Sequence, residues 1–188
     1  MSSQTQLIVI GSDHAGYEAK VHILECLRQD GDLATKWAVV DVGTHSGSSP
    51  VDYPDYAVQV SEKVVNGESA YEKRLGIVVC GSGIGISIAA NKIKGVRCAL
   101  CHDVNSATMS RRRDQLFPLP SSNAEAPDSI SNLQHNDANI LAIGGRSTAH
   151  DALHEIVKSF LSTDFDGNHH SARLDKIHQL EGCSYQGN

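Results

Sequence analysis

A cysteine followed by a glycine-rich turn is the strongest chemical signal in this sequence. Cys80 ends the apolar run 77–79, and the turn Gly81-Ser82-Gly83-Ile84-Gly85 follows at once. Helix N-termini and glycine nests favour negative charge, so we expect the backbone amides of this turn to face an anion next to the thiol. This setting would favour a thiolate and could hold a substrate oxyanion or phosphate. The same residues also fit a small buried cysteine beside a tight turn.

Length and composition are typical of a single globular α/β domain. The chain has 188 residues, of which 40% are hydrophobic and 20% charged, enough for one proper core. Its formal net charge of −6 does not indicate a nucleic-acid partner. No apolar run has the length of a membrane span, and the first residues lack the pattern of a signal peptide. We therefore expect a cytoplasmic protein that binds neither nucleic acid nor membrane.

The five cysteines predict reduced thiols rather than a disulfide framework. They are odd in number and scattered, at positions 26, 80, 98, 101 and 183. Cys98 and Cys101 form a Cys-x-x-Cys, but this pair straddles the end of a predicted strand and no second pair completes a zinc site. The histidines have no recognisable ligand spacing either, so we expect no metal.

Apolar runs alternate with amphipathic stretches along the chain. Strands that are separated by helices predict a parallel sheet of five strands with helices on both faces. Ligands of such sheets bind beyond the carboxyl ends of the strands, where several polar clusters of this sequence fall. The predicted strands are 7–10, 37–42, 76–80, 95–101 and 139–143, and the predicted helices are 17–28, 56–65, 86–92, 103–113 and 148–161.

One segment interrupts this alternation. Residues 116–133 contain three prolines and many serines and asparagines. We predict a surface insertion near 112–133 within a single domain of residues 1–180. Residues 181–188 are expected to form a loose C-terminal tail.

Five short motifs, in this order, resemble one family. They are GSDHAG (11–16), DYP (52–54), CGSGIGISIAANK (80–92), QHNDAN (134–139) and GGR (144–146), each at or near the end of a predicted strand. Together they resemble type B ribose-5-phosphate isomerase, within the broader group that includes the galactose-6-phosphate isomerases. The resemblance covers about residues 6–175. It implies a Rossmann-like α/β/α sandwich and a metal- and cofactor-free homodimer with sites shared between subunits. The implied reaction interconverts ribose 5-phosphate and ribulose 5-phosphate in the pentose phosphate pathway.

The resemblance also implies roles for the residues of the glycine turn. Such an isomerase removes a proton from C2 of the sugar and steadies the resulting enediolate oxygen. Cys80 matches the base. Ser82, where much of the family has threonine, would hold the oxyanion together with the amides of Gly81, Gly83 and Gly85. Another branch uses a glutamate at the position of Ile86, so this chain resembles the cysteine type.

The remaining motifs supply ring opening and sugar contacts. His135 matches the family's ring-opening histidine, although alone it reads as a surface histidine. Asp13 and Tyr53 match residues that contact sugar hydroxyls, with Asp13 also a candidate for assisting ring opening. Asn136 matches a donor to the enediolate or a sugar oxygen. From the residues alone, a helix N-cap, a packing aromatic and a turn residue are equally open readings of these three.

Phosphate requires cations and amides. His14, Arg146 and Arg173 match family phosphate ligands. His169 stands where many members have arginine and would be a weaker, pH-dependent contact, and His170 could take its place. We expect histidine at position 169 to change the affinity for the sugar phosphate more than the reaction.

Three other functions compete with this interpretation. A dinucleotide-binding domain is suggested by Gly81-x-Gly83 and Asp103, but Ile86 occupies the third glycine position. An isomerase of a six-carbon sugar phosphate, such as allose or galactose 6-phosphate, would use the same base and phosphate ligands. A non-catalytic phosphosugar-binding protein would have no need to keep both Cys80 and His135.

Overall fold

The computed structural model describes residues 6–67, 70–111, 136–163 and 171–182, with the backbone alone for 171–173. Within these residues, five strands alternate with helices as the apolar pattern predicts. The strands are β1 (Gln6–Ser12), β2 (Trp37–Asp41), β3 (Lys73–Cys80), β4 (Cys98–Leu100) and β5 (Ile140–Gly144). The helices are α1 (Tyr17–Gln29), α2 (Gly31–Lys36), α3 (Tyr53–Asn66), α4 (Ile84–Ala90), α5 (Val104–Arg111), α6 (His150–Ser162) and α7 (Ser171–Leu180).

All strand pairs are parallel, in the order β2-β1-β3-β5-β4. The chain leaves β1 toward β2 on one side and returns to β3 on the other side of β1. The connections therefore diverge between the carboxyl ends of β1 and β3, which opens a crevice there. Ser12 and Cys80 are the last residues of these two strands.

Alternate strand residues face two separate cores. One core lies under α1, α5 and α6 and includes Ile8, Ile10 and Val79. The other lies under α3 and α4 and includes Val9, Val78 and Cys80. This confirms the α/β/α sandwich. It also assigns the Cys80 side chain to the α3–α4 face.

Two helices and one helix start were not predicted. α2 is short and begins at the Asp30 N-cap, whose carboxylate accepts from the amides of Asp32 and Leu33. α3 begins at Tyr53, three residues before the predicted start, because Pro54 is well suited to the first turn of a helix. α7 follows the last motif, and Glu181 just beyond it accepts a hydrogen bond from the Gly95 amide at 2.9 Å.

Other sequence predictions fall outside the described residues. They are the insertion near 112–133 and the tail from 183 onward. Among the described helices, none is long and apolar enough to cross a membrane.

Candidate active site

Backbone hydrogen bonds join the segments that follow β1, β3 and β5. The Asp13 amide donates to the Val79 carbonyl at 3.2 Å. Across β3, the amides of Gly145 and Arg146 donate to the carbonyl of Cys80 and that of the next glycine, at 2.8 and 2.9 Å. The GSDHAG, CGSGIG and GGR motifs therefore meet at the carboxyl edge of the sheet.

Cys80 lies at the centre of this edge and is 4% exposed. The Gly83 amide donates to its sulfur at 3.2 Å. Gly83 has φ = +76°, a left-handed conformation that glycine adopts without strain, and it is the N-cap of α4. A hydrogen bond donated in this way stabilises negative charge on a sulfur atom. The sequence interpretation gave the Gly83 amide to a substrate oxyanion, whereas in the structure it donates to the thiol.

Two other cysteines have surroundings that keep them protonated. Burial, and then the nearby Cys101 thiol, raise the pKa of Cys98 to about 12. Burial also raises the pKa of Cys101. Their side chains face opposite layers, since Cys98 packs on the α3–α4 core and Cys101 lies in the other. All four described cysteines are free. A protonated thiol is a poor nucleophile, so the Cys-x-x-Cys is not a second candidate centre.

Ser82 and Arg146 lie on the outer side of the turn. Ser82 is exposed, and its Oγ accepts from the Ile84 amide at 3.4 Å, which leaves the hydroxyl proton available to a bound oxygen. Arg146 is exposed, and its Nη1 lies 4.0 Å from where a Cβ on Gly81 would stand. A hydroxyl and a cation thus lie beside the turn that follows Cys80.

Tyr53 packs directly on the same turn. A Cβ on Gly85 would lie 2.7 Å from Tyr53 Cζ and 2.9 Å from its Oη, closer than real contacts allow. The ring therefore occupies the space that a side chain at position 85 would need. Tyr53 is 38% exposed and opens α3, so its hydroxyl lies at the rim of the site. Gly85 accordingly makes room for this ring, in addition to any role of its amide.

Asp13 and His14 lie on the other side of Cys80. Asp13 is 6% exposed, and its Oδ1 accepts from the Gly16 amide at 2.9 Å, which closes the turn into α1. The N-cap of α1 is Gly16 rather than Asp13. His14 Nδ1 lies 3.2 Å from both the amide and the carbonyl of Val51. Its Nε2 is therefore the ring nitrogen that can meet a ligand.

Asn136 lies near the amino-terminal ends of the strands, opposite the carboxyl ends where Cys80 lies. Cys80 pairs with Gly144, the last residue of β5, whereas Asn136 precedes the first residue, Ile140. The four intervening steps of β5 alone span about 13 Å at about 3.3 Å per residue. QHNDAN is not among the polar clusters predicted beyond the carboxyl ends of the strands, and in the chain it precedes β5. Asn136 and Cys80 do not meet within one chain.

Two arginines hold the segment that follows Asn136. Asp137 accepts from Arg97 Nη2 at 2.8 Å and from Arg111 Nη1 at 3.2 Å. Arg97 Nε also donates to the carbonyls of Asn136 and Asp137, at 3.1 and 2.9 Å. Asp137 has φ = +42°, an uncommon conformation in which aspartate is enriched. The sequence interpretation missed this cluster, whose only signal was the QHND motif itself.

Four residues with predicted or alternative site roles lie beyond what the structure describes in atomic detail. His135 and His169 are outside the described residues, as is His170. Arg173 is on α7, whose backbone is described at that position. Among the described residues, no group of three His, Cys, Asp or Glu side chains is arranged to hold a metal ion.

A buried lysine near the site was also missed. Lys20 on α1 is 1% exposed, and its Nζ donates to both carboxylate oxygens of Asp41 at 2.7 Å and to the Thr44 carbonyl at 2.8 Å. Lysine is almost never fully buried unless it is paired, and sequence patterning does not reveal a partner 21 residues away.

The fold is similar to solved structures of ribose-5-phosphate isomerase B. Clostridium thermocellum ribose-5-phosphate isomerase B is 40% identical, with a TM-score of 0.73 over 94% of this chain and 97% of that one. The Mycoplasma genitalium ribose-5-phosphate isomerase B with bound ribulose-5-phosphate is 33% identical, with a TM-score of 0.74 over 95% and 98% of the two chains.

Sequence comparison gives the same result. The Bacillus subtilis putative sugar phosphate isomerase YwlF is 40% identical over 174 residues, which cover 93% of this chain and 96% of that one. The model of the ribose/galactose isomerase family matches residues 8–116 and 125–177. These matches span nearly the whole chain and include all five motifs. The chain therefore belongs to the ribose/galactose isomerase family.

Proposed function

We propose that this chain is a ribose-5-phosphate isomerase of the B type, which interconverts ribose 5-phosphate and ribulose 5-phosphate. The observation that carries the proposal is the Cys80 thiol at the carboxyl end of β3, with the Gly83 amide on its sulfur at 3.2 Å. A family of aldose–ketose isomerases needs a base at such a position. Here Ser82 lies two residues after the base, and the Arg146 amide donates to the carbonyl of Gly81 at 2.9 Å.

The proposed chemistry needs no oxidant and no leaving group. The Cys80 thiolate takes the proton from C2 of the open-chain aldose, the electron pair forms the C1–C2 double bond, and the charge moves to O1. Return of the proton to C1, with transfer of the O2 hydroxyl proton to O1, leaves the carbonyl at C2. Ser82 would donate to the developing oxyanion.

Four of the other proposed roles follow the described positions of side chains around Cys80, and the roles of His135, His169, His170 and Arg173 follow the resemblance to the family. Arg146 and His14 Nε2 would bind phosphate, and Asp13 and Tyr53 would contact sugar hydroxyls. His135 would open the ring. His169 or His170, and Arg173, would add phosphate contacts.

The choice of substrate is tested by comparing sugars. The proposal predicts a higher kcat/KM for ribose 5-phosphate than for allose 6-phosphate or galactose 6-phosphate, and activity that survives EDTA. A preference for a six-carbon sugar would transfer the same chemistry to the alternative substrate class. Loss of activity in EDTA that added metal restores would contradict metal independence.

We further propose a homodimer in which each site takes His135 and Asn136 from the partner subunit. Asn136 lies at the edge of the sheet opposite Cys80, so a single chain does not bring them together. Three apolar side chains on or next to the glycine turn and α4 are exposed: Ile84 (54%), Ile88 (56%) and Leu100 (38%). Exposed apolar groups of this kind are typical of subunit interfaces.

Subunit mixing tests the shared site. Neither Cys80→Ala nor His135→Ala should be active alone. After subunit exchange at equal amounts, half of the dimers are mixed and each has one intact site of two, so about a quarter of wild-type activity should return. Activity that stays absent in verified mixed dimers would mean that both residues act within one chain.

The compartment and pathway belong to the same proposal. The free state of the four described cysteines is consistent with a reducing compartment such as the cytoplasm. The substrate pair fits the pentose phosphate pathway. Growth on ribose of a strain that lacks its own isomerase, restored by this chain, would support this assignment, and failure of an expressed, active chain to restore growth would contradict it.

A further inference from the structure

The loop between β2 and α3, residues 43–52, is attached to α1 and its N-terminal flank at three points. Lys20 Nζ donates to the Thr44 carbonyl at 2.8 Å. A Cβ on Gly47 would lie 3.0 Å from Tyr17 Cδ1, so the loop passes directly over this ring. His14 Nδ1 meets the backbone of Val51 at 3.2 Å. The three contacting residues are spaced by three along the chain, and the loop runs antiparallel to them.

Of the three residues that contact the loop, Lys20 is the one whose burial is least favourable in free energy, because it carries a charge. It is 1% exposed, and all three ammonium protons are used on Asp41 and Thr44. Asp41 also accepts from the Gly43 amide at 2.9 Å, so the ion pair fixes both first residues of the loop. Tyr17 covers the ammonium, with 5.7 Å from Nζ to the ring centroid. Burying a charge is unfavourable unless it is paired, and a stability role alone could be filled by apolar side chains.

The loop connects this ion pair to residues of the candidate site. At its far end Val51 contacts Nδ1 of His14, which determines how the imidazole presents Nε2. Two residues later Tyr53 begins α3 and packs on the turn that follows Cys80. A shift of the loop would therefore move a proposed phosphate ligand and a proposed sugar contact together.

We propose that Lys20, through its ion pair with Asp41, is a positioning residue for substrate binding. It fixes the loop 43–52 and thereby the orientation of His14 toward the sugar phosphate. It contacts neither substrate nor reacting atoms, so it acts on binding more than on proton transfer. This inference rests on the proposed function, because His14 is taken there as a phosphate ligand.

The test compares Lys20→Met with the same substitution in a second, more exposed lysine–aspartate pair. Lys20→Met should raise KM for ribose 5-phosphate about tenfold, which is the loss of one modest anion contact, while kcat changes less than about threefold. Lys158→Met breaks the ion pair with Asp30, at 2.8 Å, which lies at the C-terminal end of α1 and away from the candidate site. It should lower stability and leave both kinetic constants unchanged.

Two further variants separate positioning from folding. Gly47→Val would push the exposed middle of the loop off Tyr17 without touching Lys20, and it should raise KM in the same direction. In a His14→Ala background, Lys20→Met should raise KM clearly less than it does in the wild type, because the part of its effect that acts through His14 has been removed and only the part through Tyr53 remains. An equal rise in both backgrounds, or an unchanged KM in folded Lys20→Met and Gly47→Val, would overturn the inference.

Binding of inorganic phosphate, measured by calorimetry on the same variants, gives a readout that does not depend on turnover. Weaker phosphate binding in Lys20→Met, lost in the His14→Ala background, supports the inference. Wild-type protein without isomerase activity would refute the proposed function, and the phosphate measurement would still decide the role of Lys20.

Discussion

Asp30 gives the sharpest test of how charge stabilises this fold. It caps α2 and is paired with Lys158 at 2.8 Å and His154 at 3.2 Å, with its side chain 7% exposed. The hydrogen bond from Lys158, followed by that from the Leu33 amide, lowers the pKa of Asp30 from its ordinary 3.8 to about 2. Asn is an equally good N-cap, so Asp30→Asn removes the charge and keeps the cap.

The magnitude follows from the two pKa values. A pKa lowered from 3.8 to about 2 corresponds to about 2.4 kcal/mol of stability at neutral pH. Lys158 is 43% exposed, so solvent screening reduces the expected value to about 1–2 kcal/mol. Because the folded pKa is the lower one, this contribution is present above the unfolded pKa and disappears as pH falls through about 2. About half of it should remain at pH 3.

Urea unfolding at a series of pH values measures this contribution. The difference in unfolding free energy between wild type and Asp30→Asn should be about 1–2 kcal/mol at pH 7 and should shrink steadily below pH 4. A stability difference that is the same at pH 7 and pH 3 would show that it comes from the shape of the Asp30 side chain rather than from its charge. No difference at pH 7 would refute the reasoning outright.

Two substitutions test other contacts of the candidate site. Gly85→Ala would place a Cβ 2.7 Å from Tyr53 Cζ, so it should displace the ring and raise KM for ribose 5-phosphate. The control Gly31→Ala has no atom within 4 Å of its new Cβ and should change neither kcat nor KM. Equal kinetic constants for the two variants would contradict the contact between Tyr53 and Gly85. Asp137→Ala removes the carboxylate that Arg97 and Arg111 share and should lower the unfolding free energy, measured in urea, by about 3 kcal/mol. A loss below about 1 kcal/mol would mean that this carboxylate contributes little to stability.

Much of the fold could be predicted from the sequence because apolar runs report burial directly. Strands such as 7–10 and 76–80 were found because both faces of a central parallel strand are buried. α2 was missed because six residues are too few to show a period. β4 has three residues where seven were expected, since neighbouring turns and loops bury apolar residues too.

The candidate site was predictable to the extent that its residues follow strands. Cys80, Asp13 and Arg146 were found together because the carboxyl ends of parallel strands share an edge. Asn136 could not be placed, since its motif precedes its strand. Lys20 was missed for a different reason: its burial depends on Asp41, and charge pairs between elements are set by packing that a single sequence does not reveal.

Isomerase activity on ribose 5-phosphate, measured in the presence of EDTA for wild type, Cys80→Ser and Cys80→Ala, tests whether this chain is an isomerase and whether Cys80 is its base. We predict an active wild type and a loss of kcat of about a hundredfold to ten-thousandfold in both folded variants, because the carbon proton has lost its base. Undiminished activity in Cys80→Ala would contradict the role of Cys80, and an inactive, folded wild type would contradict the reaction itself.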